Sequence, residues 1–234
     1  MSKDLQIIKE LKNKFGSFHY KIHNNEVIEL RLTHKDVINK DLELIGELTS
    51  LQELNLYDNK ITEIRGLNKL NKLDNLDLSG NEITEIKGLD KLVSLQKLDL
   101  CLNKLTTIQG LDNITKLKEL YLSANKITKI QGLSKLTKLE TLDLSGNKIT
   151  TIQNLDNLNK LINLYLTYNR LATIEGLDNL TKLKELDFGC NKITEIKGLD
   201  SLARLEWFNL GKNNIPEEEI KQFKINHPEI KVYD

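Results

Sequence analysis

From Leu51 onward the apolar positions abandon helical spacing. Leu51, Leu54 and Leu56 give the block LxxLxL, whose last two leucines flank a single polar residue. Alternation with a period of two marks a short strand with one buried face. Two polar residues and an asparagine follow, and "NxIxxIxGLxxL" then turns the chain while burying more aliphatic side chains. The block restarts 22 residues later, as in "LKELYLSANKITKIQGLSKLTK". Asn59, Asn81, Asn103, Asn125, Asn147, Asn169, Asn191 and Asn213 hold that interval without a slip. The only prolines, Pro216 and Pro228, come after the last copy. One such unit cannot bury its own leucine face, but stacked copies make a continuous core. Each asparagine stands where the chain leaves its strand, and its amide can satisfy backbone groups there. These asparagines are read as scaffold.

The pattern spans about Val27 to Asn214 and resembles the leucine-rich repeat. Its 22-residue form with "IxGLxxL" is similar to the class shared by bacterial internalins and the leucine-rich regulatory subunit of type-1 protein phosphatase. That resemblance implies an α/β solenoid: a right-handed curved array with about nine parallel strands on the concave face. Short 3₁₀ or irregular segments would form the convex side. It also implies candidate roles as a phosphatase-regulating subunit or as a surface adhesin or effector.

The ends depart from the pattern. "LRLTHKDV" (Leu30 to Val37) aligns as a divergent first repeat, with Lys35 in the asparagine column and two extra residues before the next copy. Upstream, Ile8, Leu11 and Phe15 share one face of a short helix ending at Gly16. "FHYKIH" alternates as an antiparallel edge strand, and "NN" turns it into the first repeat. Downstream, "NNIPEEEIKQFKINHPEI" offers proline at a helix start, acidic first-turn residues, and Ile220 and Phe223 to cover the last leucines. The expected organisation is one domain: an N-terminal cap over 1–26, repeats over 27–214, and a helical cap over 215–234.

With the leucines inward, the third, fifth, seventh and eighth positions of LxxLxLxxN face the concave side. Tyr121 and Tyr165 stand in the fifth column among Asp77, Asp99, Asp143 and Asp187. Tyr57 is in the seventh, Tyr168 in the eighth, and Glu185 and Trp207 in the third. Five of the chain's twelve aromatics thus share a face that packing does not need. Tyrosine and tryptophan are enriched at binding hot spots. The richest patch expected is Ile162, Tyr165, Tyr168, Glu185, Asp187 and Trp207. Phe188 and Phe208 replace core leucines.

Charge adds one point. Lys plus Arg and Asp plus Glu both total 34, which argues against nucleic acid and anionic membranes. That zero conceals an acidic concave column bordered by lysine-rich edges, the latter read as solvated faces. The column would favour a partner with a basic, partly apolar surface. Two cysteines, Cys101 and Cys190, form neither a disulfide framework nor a metal spacing. "MSKDLQIIKELKNKF" lacks the apolar run of a signal peptide, so a soluble cytoplasmic chain is expected. His19 and His23 lie too far apart on a strand to share an ion, Cys190 has no evident base, and Asp77 with Asp99 makes a poor calcium site. The expectation is a monomeric, non-catalytic, cofactor-free protein-interaction scaffold. Carbohydrate or small-ligand binding by the concave aromatics is the alternative.

Overall fold

The computed structural model describes residues 2–234. Helix α1 (Lys3–Phe15) starts at Ser2, whose Oγ accepts the Leu5 N–H at 3.3 Å. It ends at Gly16, where φ is 71° and the N–H donates to the Lys12 carbonyl. Its buried face is Ile7, Ile8 and Leu11. Strands β1 (His19–His23) and β2 (Glu26–Arg31) pair antiparallel across Asn24 and Asn25. Both asparagines have positive φ, 49° and 64°, as a two-residue hairpin turn of this hand requires.

The extra residues after the first repeat form α2 (Asp41–Ile45), a single short helix that the repeat pattern did not predict. Asp41 anchors it: its Oδ2 accepts the Ile38 N–H at 3.0 Å, and Oδ1 takes the Lys14 ammonium of α1.

Eight three-residue strands follow: β3 (Glu53–Asn55), β4 (Asn75–Asp77), β5 (Lys97–Asp99), β6 (Glu119–Tyr121), β7 (Thr141–Asp143), β8 (Asn163–Tyr165), β9 (Glu185–Asp187) and β10 (Trp207–Asn209). With β2 they are the nine expected parallel strands, each in register with the next. Hydrogen bonds of the i to i+3 kind, such as Leu70 N–H to Leu67 O and Leu73 N–H to Leu70 O, carry the chain back along the convex side. The repeated leucines and isoleucines form one continuous core, nearly all of them fully buried.

The C-terminal segment is more than a helix. After α3 (Glu217–Asn226) the chain adds β11 (Lys231–Tyr233), parallel to β10, so the sheet has eleven strands in sequence order. Phe208 stacks edge-on between Phe188 and Phe223 at centroid distances of 6.2 and 5.8 Å, which joins α3 to the repeat core.

From Asn59 to Asn191 the asparagine column lies buried. Asn125 is typical: Nδ2 donates to the carbonyls of Leu100 and Leu122, and Oδ1 accepts the N–H of Leu105. Each side chain thus ties its own turn to the preceding one. The glycine of "GL" is equally constrained. At Gly132 φ is 71° and a Cβ would fall 2.1 Å from the Ile108 carbonyl oxygen. Where asparagine replaces this glycine, Asn154 keeps φ at 60° and donates Nδ2 to the corresponding Ile130 carbonyl at 2.8 Å.

Candidate binding face

The fifth column has a structural duty that the sequence reading assigned to partner binding. Asp77, Asp99, Asp143 and Asp187 each use Oδ1 to accept the backbone N–H two residues on, from Ser79, Cys101, Ser145 and Gly189, at 2.9 Å. Asn55 and Asn209 do the same for Tyr57 and Gly211. This Asx turn satisfies a peptide donor where the strand ends and its neighbour diverges. The small residue two places on does not signal it, since Tyr121 and Tyr165 are followed by Ser123 and Thr167 as well. The aspartates are therefore caps first, with at most their second oxygen free for a partner.

Tyr121 and Tyr165 are the exceptions. They occupy the same column and cannot cap. The Ser123 N–H turns to the Cys101 sulfur, and among the described residues the Thr167 N–H has no acceptor. Instead the Tyr121 hydroxyl donates to Glu119 Oε2 at 2.9 Å, and the Tyr165 hydroxyl donates to Glu185 Oε2 across to the next strand at 2.5 Å. Burial and those carboxylates push both phenols above their ordinary range. Both rings are half-buried and held by both ends, an arrangement that limits the entropy lost on contact.

Register places the column as Asp99, Tyr121, Asp143, Tyr165, Asp187 on five successive strands, acid and aromatic in strict alternation. Burial pushes the Asp99 carboxyl up, against the Cys101 N–H; burial also raises Asp187, against the Gly189 N–H and the Asn209 amide. Lys97 interrupts the negative field. Its ammonium is 3.0 Å from Glu119 and 5.1 Å from the centroid of the Tyr121 ring. Burial works against the ionised Glu119, but Lys97 and the Tyr121 hydroxyl hold its carboxyl below the ordinary value.

The late patch assembles in part. Glu185 meets Tyr165 through its hydroxyl and lies in register with Trp207, while Asp187 is the register partner of Tyr165. Ile162 sits one residue ahead of β8 at the entry edge, half-buried. Tyr168 stands on the exit turn with φ at 55° and is 63% exposed. The whole eighth column shares that left-handed conformation or a glycine. Trp207 is not open, because Tyr233 of β11 covers it at a centroid distance of 5.4 Å. Tyr57 lies at the far end of the array, edge-on to His34 at 5.1 Å and over Gly80. Near it, Arg31, Asn55, Asn75, Asp77, Lys97 and Asp99 line a shallow polar depression of about 190 Å³.

The chemistry elsewhere is quiet. Burial pushes the Cys101 thiol up to about 12, and Ser123 Oγ donates to its sulfur at 3.0 Å. His19 lies 3.3 Å from Glu29. Among the described residues there is no group of three or more potential metal ligands, and no helix is long and apolar enough to cross a membrane. On the edges, Lys60, Lys104 and Lys184 pair with carboxylates of neighbouring repeats, as solvated faces do.

No curated protein sequence matches the chain. Solved structures do. Internalin C2 from Listeria monocytogenes superposes with a TM-score of 0.71 at 28% identity, over 86% of this chain and 91% of that one. The functional domain of InlJ from the same organism gives 0.63 at 25%, over 88% of this chain and 48% of that one. TLR13, solved in complex with ssRNA13, gives 0.70 at 25%, over 82% of this chain and 32% of that one. The family model described as leucine rich repeats (2 copies) matches residues 49–91, 71–113, 115–157 and 159–201. Those matches fall on the strands, shared asparagines and glycine turns described above, and with them the chain belongs to the leucine-rich repeat family.

Proposed function

We propose that this protein is a non-catalytic interaction module that holds a partner protein on its concave face. Repeat arrays of this kind build extended concave binding surfaces. The observation that carries the reading here is the pair Tyr121 and Tyr165, which take positions where six other repeats place a backbone cap. Two exit turns give up the side-chain cap so that two phenol rings can be displayed. Folding does not call for that exchange, and recognition does. Asp99, Asp143 and Asp187 between and beside the rings favour a partner that is basic and partly apolar, and disfavour a polyanion. Two free thiols fit a reducing compartment such as the cytoplasm.

Affinity capture from the native cell tests this, with Tyr165→Ala as the decisive variant and Lys116→Ala, on the convex path, as control. A specific protein should be retained by the parent and the control and lost from Tyr165→Ala. Equal retention by all three removes the concave face from consideration.

A further inference from the structure

Tyr121, Asp143 and Tyr165 are register neighbours on β6, β7 and β8. Adjacent strands are about 4.8 Å apart, so the two tyrosines rise from backbones about 9.6 Å apart, and the concave curvature draws the rings closer. A flat group stacked between two rings needs about 7 to 8 Å. At the floor of the gap, Asp143 Oδ1 is held by the Ser145 N–H, while Oδ2 has no partner among the described residues. Thr141, Ser145 and Gly146 keep the surroundings small. The tyrosine hydroxyls are already bonded to Glu119 and Glu185, so what the two side chains have left to offer a partner is their rings. The molecule itself shows what such a face attracts, because Lys97 already lies over the Tyr121 ring, on its β5 side.

Resting on the concave-face reading above, we infer that Tyr121, Asp143 and Tyr165 form a slot for one arginine side chain of the partner protein. Its guanidinium stacks between the two phenol rings and donates to Asp143 Oδ2. Arginine suits the slot better than lysine because its planar cation stacks on two faces while its edge bonds a carboxylate. Asp99 and Asp187 carry the same cap but not two flanking rings. Asn209 takes up Asp187 as well.

The test titrates the full chain with acetyl-Gly-Arg-Gly-amide, following the ring signals of tyrosine-labelled protein. The citrulline peptide, a neutral isostere, and the lysine peptide are the comparisons. The arginine peptide should shift Tyr121 and Tyr165, with citrulline weaker by about tenfold or more, the worth of a charge-assisted bond. Asp143→Asn should weaken arginine by a similar factor while keeping the fold, since asparagine caps this turn in two other repeats. Trp207→Ala should leave it unchanged. Citrulline or a short oligouridylate binding as well as arginine, or an Asp143→Asn variant of full affinity, overturns the slot. If the arginine peptide fails to bind while Tyr165→Ala still loses the captured protein, the slot falls and the concave-face reading stands. If the peptide binds as described and capture is indifferent to Tyr165, the slot stands without it.

Discussion

Alanine at Asn59 and at Asn125, one at a time, should destabilise the array by unequal amounts, and in the less obvious order. Asn125 Nδ2 reaches the carbonyls of Leu100 and Leu122 at 2.9 and 3.1 Å, but each carbonyl has a second asparagine donor, Asn103 and Asn147 respectively. Its removal leaves only the Leu105 N–H wholly unpartnered. A buried unsatisfied donor costs about 1–3 kcal/mol and two thinned acceptors less, so the expected loss is about 3 kcal/mol. Asn59 differs because Lys35 stands in the preceding asparagine position. Leu32 O therefore has Asn59 as its one side-chain donor, at 2.7 Å, and Asn59 Oδ1 serves both Lys35 and Val37 N–H groups. Three backbone groups lose their partner, and with Lys35 discounted for its nearness to solvent the loss is about 4 kcal/mol. A rule that end repeats fray cheaply predicts the opposite order. Urea unfolding followed by circular dichroism, with an unchanged denaturant slope, measures both losses, and amide exchange at Val37 localises the first. A cost for Asn59→Ala at or below that of Asn125→Ala would refute the accounting of shared carbonyls.

Gly132→Ala should cost about 2–3 kcal/mol in the same unfolding assay, from left-handed strain and the Ile108 carbonyl it would strike. Asn154→Gly, which loses one half-buried hydrogen bond at a tolerated φ, should cost about 1 kcal/mol or less. Glu47 lies between Lys3 of α1 and Lys69, and their hydrogen bonds hold its carboxyl down to about 2. A carboxyl lowered on folding contributes stability above its unfolded value near 4.5, and that contribution is lost as pH falls through about 2. Amide protection in α1, corrected for intrinsic exchange, should accordingly fall across that window in the parent, and Glu47→Gln should already show the lower protection at neutral pH. Trp207→Ala should speed exchange at Lys231–Tyr233 by uncovering Tyr233, whereas Tyr165→Ala should leave β11 unchanged.

Most of the scaffold was legible because its causes are local and repeated. The 22-residue period, the asparagine exits and the left-handed "GL" turn each restate one constraint in nearly every copy, so repetition filtered out chance. What was missed occurs once. Helix α2 rests on a two-residue insertion, and β11 is three residues whose pairing depends on where α3 returns the chain. Within the candidate face, column arithmetic placed Tyr121 and Tyr165 among the aspartates but did not show that each aspartate also caps its own exit turn. Side-chain type alone does not tell a carboxylate facing solvent from one folded onto its own backbone.

The unbroken strand register implies that distances along the inner wall come in whole steps. Within one column, the backbones of any two determinants lie a whole number of strand spacings of about 4.8 Å apart, and no point substitution can shift them by a fraction of that step. Inserting one more 22-residue unit between Tyr121 and Asp143 would push everything beyond it along by a full notch, splitting the phenol pair while leaving each half intact. Specificity in such a molecule is tuned in two separate currencies: the identity of a side chain at a rung, and the count of rungs between.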